Sequence, residues 1–355
     1  MTLPGIDVTI ENKLGSKMQG YPKMQRLIKQ MNAYGVASTP FVFLVDYEMQ
    51  APKIWTLDEI DSAEIGYDFN GVTNIAPSKP LCKTPFPFLD KFPISYSAYQ
   101  LAFNQVQAAI KAGDTYLANL TFPTRILSQL DLKEIVASAK APYRFWWKDH
   151  FALFSPESFV KIQSGKIRAY PMKGTLSAAT PNARQVLLND EKEKAEHATI
   201  TDLIRNDLSR VAKRVRVQRY RYIEEIETNE ENLLQTSTEI VGELPSDHKN
   251  KLGDIIAKLL PAGSISGAPK RSTVEILRKA EGRTRGYYTG IIGYFDGENL
   301  DSAVAIRFIE QQGKQLYYRS GGGITAFSQV SLEYEEMIQK IYLPTWAKIK
   351  PLSIP

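Results

Sequence analysis

The chain has 355 residues, 43% of them hydrophobic and 23% charged, with 44 Lys and Arg against 39 Asp and Glu for a net charge of +5. That is ample apolar material for one large domain or two intimate ones, and a charge balance too mild to choose between an anionic small molecule and nucleic acid as partner. A single cysteine, Cys82, excludes an intrachain disulfide framework and a thiolate metal cluster. Residues 1–10 lack a basic segment followed by a long apolar run, and no stretch approaches the roughly 18 apolar residues that span a bilayer. The expectation is a soluble cytoplasmic protein.

In chain order, residues 36–47, with Val36, Phe41, Val42, Phe43, Leu44 and Val45, read as a buried strand. Pro77, Pro80, Pro85, Pro87 and Pro93 make 72–95 irregular, the one internal linker. The apolar spacing of Tyr99, Leu101, Phe103, Val106 and Ile110 predicts a helix from Tyr96 to Ala112, ended by Gly113-Asp114. Strands are expected at 115–122, 143–153, 158–163 and 166–170, then helices at 181–189 and 191–205. Strands at 214–226 and 234–243 follow, with a helix at 250–260, a glycine-rich loop at 261–268 and a helix at 269–280. The chain closes with strands at 287–295, 301–310 and 314–319, a glycine turn, and a helix over 331–342. There is no βαβ rhythm and no repeat, so the fold class is α+β with large antiparallel sheets.

Glu193 and Glu196 share a face of one predicted helix, and Glu333 and Glu336 share a face of another, with Lys340 one turn beyond. Four carboxylates without cysteine suit a hard cation, Mg²⁺ above all. Taken alone, each pair reads first as a solvated helix face, and His197 beside them reads as a structural histidine. Residues 261–270, Pro-Ala-Gly-Ser-Ile-Ser-Gly-Ala-Pro-Lys, feed a helix with Pro269 at its first position, where free amides favour an anion. Gly321, Gly322 and Gly323 allow backbone to approach a ligand. Lys173, in a Gly-Thr turn after an apolar strand, is a lysine whose pKa desolvation would lower, freeing a nucleophilic amine. Glu157, at a strand end, can serve as general acid, and without further context both Lys173 and Glu157 read first as solvent-facing charges. The run Lys213–Arg221 alternates valine with arginine and reads as a half-buried strand with a cationic outer face, a nucleic-acid surface being the alternative from a different class.

Together these segments resemble the chorismate-utilising enzymes, which include anthranilate, aminodeoxychorismate, isochorismate and salicylate synthases. The motifs that carry the likeness stand in order: Ser155-Pro156-Glu157, Pro171-Met172-Lys173-Gly174-Thr175, residues 190–197, residues 202–208, Ser266-Gly267-Ala268-Pro269-Lys270, Ile306-Arg307, and the 321–324 loop followed by Glu333–Glu336. The resemblance implies two antiparallel sheets packed as a sandwich with helices outside, residues 93–345 forming the catalytic region and 1–92 an N-terminal part of the same fold. It implies Mg²⁺ held by Glu193, Glu196, Glu333 and Glu336 against the ring carboxylate of chorismate. Gly321, Gly322, Gly323 and Lys340 then surround that carboxylate. Tyr288 and Arg307 clamp the enolpyruvyl carboxylate, Thr175 and Ser266 count among the substrate contacts, and Glu157 protonates the departing C4 hydroxyl.

Lys173 separates the subfamilies: the resemblance implies an amine that adds at ring C2, later displaced by ammonia at C4, where anthranilate synthases carry alanine. Leu117 occupies the place of a water-activating lysine, which disfavours isochorismate formation, and Gln235 the place of a ring-facing histidine. No tryptophan-feedback motif is found. Cys82 lacks the partners of a glutamine amidotransferase, so ammonia is expected from solution or from a separate amidotransferase subunit in a heterodimer. The runner-up is anthranilate synthase component I.

Overall fold

The computed structural model describes residues 21–76, 89–226 and 232–343. Cys82 and much of the proline-rich segment lie outside them. Among the described residues the strands form two nine-stranded antiparallel sheets. In order, the first runs Met172–Ser177, Leu233–Glu243, Lys166–Ala169, Ser158–Gln163, Leu300–Val304, Ile291–Phe295, Phe41–Val45 and Lys53–Thr56, with Lys213–Ile226 along the other edge of Leu233–Glu243. The second runs Gly267–Ala268, Leu117–Ser128, Gln315–Ile324, Phe308–Gln312, Phe151–Ser155, Tyr143–Trp147, Ile65–Phe69 and Val72–Thr73, with Leu89–Phe92 beside Leu117–Ser128.

Phe41–Val45 shows how sequence builds the layers. All five residues are buried. Phe41, Phe43 and Val45 face an outer core shared with the helices Pro22–Ala37 and Leu252–Leu259. Val42 and Leu44 face the opposite way, against Tyr67, Phe145, Leu153 and Phe308 of the second sheet. Period-two alternation thus serves two cores, and no polar residue is tolerated on either side. The outer face of the second sheet is covered by the helices Tyr96–Lys111, Lys270–Glu281 and Val330–Gln339 around Leu120, Phe122 and Ile324. The result is an α+β sandwich, two sheets inside and helices outside. No described helix is long and apolar enough to cross a membrane.

Several elements differ from expectation. Val36 and Ala37 end the helix Pro22–Ala37, whose Met24, Leu27 and Met31 are buried at helical spacing; Ser38 closes it in the left-handed region at φ 50°. The span 143–153 is a hairpin, Tyr143–Trp147 and Phe151–Ser155, turned at Asp149 with φ 58°. The capped helix Leu132–Ser138 was not anticipated. Gly321–Gly323 form no turn: they continue the strand Gln315–Ile324 opposite Asn119–Thr121. A Cβ on Gly321 would stand 2.3 Å from the Leu120 carbonyl oxygen, so close pairing requires glycine there. Pro269 is the N-cap, and the helix starts at Lys270.

The edge strand Lys213–Ile226 carries three register shifts and two left-handed residues, Arg214 and Arg221, which blunt it against further pairing. Three of its four arginines are engaged within the molecule, and Arg216 is exposed. Arg214 pairs with Glu243 and Arg219 with Glu239, both at 3.1 Å. Arg221 donates to the Leu187 and Leu188 carbonyl oxygens at 2.9 and 2.8 Å, capping the helix Ala183–Asn189. These partners weigh against the nucleic-acid reading.

Candidate active site

Lys173 lies in the strand Met172–Ser177, where a bulge between Lys173 and Thr175 interrupts pairing with Leu233–Glu243. The predicted turn is therefore a bulge, with Gly174 at φ 78°; a Cβ there would approach Glu193 Oε2 to 3.2 Å. The helix Glu191–Ser209 crosses this bulge, capped by Asp190, which accepts from the Glu193 amide at 2.9 Å. His197 fixes the crossing. It is fully buried, its Nε2 lies 2.6 Å from Thr238 Oγ1, and burial, aided by the charges of Arg221 and Lys173, pushes its pKa down to about 4. A neutral imidazole packed in this way is structural.

The Lys173 ammonium donates to Glu196 Oε2 at 2.8 Å. Burial by itself disfavours its charge, but Glu196, Glu193 and Glu336 outweigh burial and hold its pKa above the ordinary lysine value. The expected lowering is corrected by this arrangement: in this structure Lys173 is a cation surrounded by carboxylates. Glu336 also meets Lys340 at 2.6 Å, and Lys340 donates to the Gly321 carbonyl at 3.0 Å. Within a strand a residue's N–H and C=O point to the same side, so the Gly321 amide shares this edge. The pairing strand Phe308–Gln312 reaches only to Arg319, leaving 320–324 open on that side. A Cβ on Gly322 would lie 3.2 Å from Glu333 Oε2 and 3.7 Å from Glu336 Oε1.

Glu196, Glu193 and Glu336 thus all act on the Lys173 ammonium, and Glu333, on the helix of Glu336, lies beside the glycine strand. Their chemistry, oxygen donors only and net negative, fits Mg²⁺. The positive charge among them is the Lys173 ammonium, in contact with Glu196, and among the described residues no three of these carboxylates gather closely enough to hold a metal ion.

Glu157 follows the strand Phe151–Ser155; its amide donates to Ser155 Oγ at 3.1 Å and its carbonyl accepts from the Val304 amide at 3.1 Å. Its carboxyl accepts from Ser264 Oγ at 2.6 Å. Burial pushes its pKa up, against the opposing pull of Ser264, Arg307, Lys173 and Lys340. A carboxyl whose pKa burial raises, at the end of a strand, is suited to donate a proton. Beside it lies a small cavity of about 30 Å³, walled by Tyr170, Pro171, Asp207 and Leu259.

Arg307 breaks the expected strand 301–310 into Leu300–Val304 and Phe308–Gln312 by adopting φ 51°. Thr289 does the same at φ 58°, so Tyr288 precedes the strand Ile291–Phe295 instead of lying within it. Non-glycine residues in this region carry strain, and such strain gathers at ligand sites. The half-buried Arg307 guanidinium donates from Nε to the Tyr342 hydroxyl at 3.1 Å, its one hydrogen bond among the described residues. Tyr288, Tyr318 and Tyr342 surround it, and no carboxylate pairs with it among the described residues. Tyr288 is buried, which pushes its phenol up to about 12 and keeps it a donor.

Of the remaining expected contacts, Thr175 is exposed and lies 3.5 Å from Gln235 Nε2. Leu117 touches the space beside Gly323. Ser266 is buried with its hydroxyl on the Ala262 carbonyl at 2.8 Å, whereas Ser264, which sequence reasoning passed over, is the serine that meets Glu157. Two motifs of the sequence prove to hold each other: Lys270 pairs with Asp207 at 2.6 Å and donates to the Leu259 carbonyl at 2.9 Å. The buried Arg285–Glu281 pair was also missed; Glu281 Oε1 accepts from both the amide and the hydroxyl of Thr121 at 3.0 Å.

A family model described as chorismate binding enzyme matches residues 25–345. A Haemophilus influenzae protein named "Uncharacterized PabA-like protein" is 49% identical over 90% of this chain and 97% of its own length. An aminodeoxychorismate synthase component 1 from Klebsiella aerogenes is 34% identical over 70% of this chain and 57% of its own. An anthranilate synthase component 1 from Aquifex aeolicus is 36% identical over 52% of this chain and 38% of its own. Among solved structures, the menaquinone-specific isochorismate synthase MenF of Escherichia coli shares the fold with a TM-score of 0.68 at 15% identity, over 89% of this chain and 80% of that one. The chain therefore belongs to the chorismate binding enzyme family.

Proposed function

We propose that this enzyme converts chorismate and ammonia into 4-amino-4-deoxychorismate, on the way to p-aminobenzoate and folate. The observation that carries the reading is Lys173 itself, a lysine at the bulge that opens onto Glu193, Glu196 and Glu336. Alanine at that place would leave room for ammonia to reach C2; a lysine fills it with an amine. Similarity to aminodeoxychorismate synthase component 1 supports the reading.

Arg307 and Tyr288 bind the enolpyruvyl carboxylate, and the Gly321 edge with Lys340 orients the ring carboxylate. Glu193, Glu196, Glu333 and Glu336 would hold Mg²⁺, which when bound supplies positive charge to the ring carboxylate. The Lys173 proton passes to Glu196 or to solvent. Its amine forms a bond to C2, the two ring double bonds shift from C1–C2 and C5–C6 to C1–C6 and C4–C5, and the C4–O bond breaks with the proton of Glu157, releasing water. Ammonia then bonds to C4 and gives a proton back to Glu157, both double bonds shift back, and the C2–N bond breaks to return the Lys173 amine. Chorismate and ammonia thus become aminodeoxychorismate and water, with pyruvate retained. A separate glutamine amidotransferase subunit is the proposed source of ammonia.

The test is incubation with chorismate, Mg²⁺ and ammonium, with and without an aminodeoxychorismate lyase, followed by mass analysis. The reading expects 4-amino-4-deoxychorismate, turned to p-aminobenzoate only when the lyase is added. Anthranilate formed without lyase would show anthranilate synthesis instead.

A further inference from the structure

The Arg307 guanidinium is half-buried, yet one protein atom alone among the described residues accepts a hydrogen bond from it, the Tyr342 hydroxyl, from Nε at 3.1 Å. The Tyr342 ring lies 5.3 Å from the same guanidinium. We propose that Tyr342 is a positioning residue for the proposed reaction: it anchors Arg307 by Nε and thereby points the NH1–NH2 edge at the enolpyruvyl carboxylate of the substrate.

Three observations carry this. First, the Arg307 backbone is already fixed, because its carbonyl accepts from the Phe154 amide at 3.1 Å, in the strand that leads to Glu157. The side chain is the remaining freedom, and an arginine fork works only when aimed. Second, the other two phenols around it do not perform this task. Tyr318 is fully buried and makes no hydrogen bond to Arg307, while the Tyr288 ring packs tilted against Phe308 with centroids 5.9 Å apart. Tyr342 is 44% exposed, at the rim rather than in the core. Third, Tyr342 lies two residues beyond Lys340, whose Nζ sits on the Gly321 carbonyl and on Glu336. One short segment therefore sets both carboxylate-binding ends, and the distance between them is part of how the substrate class is selected: a ring acid bearing a second carboxylate on an ether arm.

This rests on the chorismate reading, and the experiment separates the two. Binding is measured by calorimetry for wild type and Tyr342→Phe, which keeps the ring and removes only the acceptor. The ligands are chorismate and the corresponding dihydroxycyclohexadiene carboxylate without the enolpyruvyl arm. The expected result is about tenfold weaker chorismate binding and a similar rise in KM in Tyr342→Phe, as for loss of a hydrogen bond to a charged group. The turnover number should stay within about twofold, and the armless ligand should bind both proteins equally. Equal chorismate binding by the two proteins would overturn the inference and leave the chorismate reading standing. Equal weakening for both ligands would show a merely structural role and also overturn it. A wild type that binds no chorismate would remove the reading and this inference together.

Discussion

Two arginines, 22 positions apart in the sequence, are treated in opposite ways by the fold. Arg285 is 2% exposed and fully engaged: Nε and NH2 meet Glu281 at 2.9 and 2.6 Å, NH1 and NH2 reach the Ile265 and Asn119 carbonyls, and the guanidinium lies 4.5 Å from the Tyr47 ring. Arg307 has one hydrogen bond and no paired carboxylate among the described residues. A buried charge whose every donor is engaged ties elements together, here the helix Lys270–Glu281 to the strand Leu117–Ser128. One left with open donors has an affinity to offer an anion. Lys173 stands between the two, paired with Glu196, but with a partner that the proposed reading assigns to Mg²⁺.

The comparison breaks most visibly in stability. Arg285→Leu leaves Glu281 buried without its cation and should cost about 3–5 kcal/mol in denaturant unfolding, whereas Arg307→Leu should change stability by less than about 1 kcal/mol. Equal losses would erase the distinction. His197 tests the structural class by pH. Its folded pKa is depressed to about 4, so its contribution is whole above the ordinary value of 6.5 and is lost as pH falls toward 4. Wild type should lose about 3 kcal/mol more than His197→Gln across that window; parallel pH curves for the two proteins would contradict it. The functional class is tested by ligand: Arg307→Leu should weaken chorismate binding by about a hundredfold, and an unchanged Kd would place the carboxylate elsewhere. The smallest effect is expected at Ser264. Its hydroxyl opposes the burial that raises Glu157, so Ser264→Ala should push Glu157 higher still and move the basic limb of kcat/KM to higher pH. A limb displaced to lower pH would refute the role of Ser264.

What sequence could reveal follows the range of the interactions. Glu193–Glu196 and Glu333–Glu336 were legible because their helical spacing is local, and the strands because alternation is local. Lys173 and Glu157 were singled out through ordered motifs, although the ionisation of Lys173 was not legible, since it depends on Glu196, 23 residues away, and then on Glu193 and Glu336. The break at Arg307 was hidden because Leu300, Ser302, Val304, Ile306 and Phe308 keep strand periodicity straight through it. Just before it, the Ala305 carbonyl accepts from the Thr289 amide at 2.8 Å, a contact far along the chain. The glycine run was mistaken for a turn because glycine is permissive in either role; its true cause is the crowding by Leu120 on one strand and Glu333 and Glu336 on a helix. Ser264 and Tyr342 left no local trace, for their partners lie 107 and 35 residues away.

The central claim, that the Lys173 amine bonds to the substrate ring, is tested most directly by mass spectrometry of the intact protein after exposure to chorismate and Mg²⁺ without ammonia. The account predicts a gain equal to chorismate less one water, mapped to Lys173, discharged by ammonium and absent in Lys173→Ala. Continued formation of 4-amino-4-deoxychorismate by Lys173→Ala at the wild-type rate would contradict it.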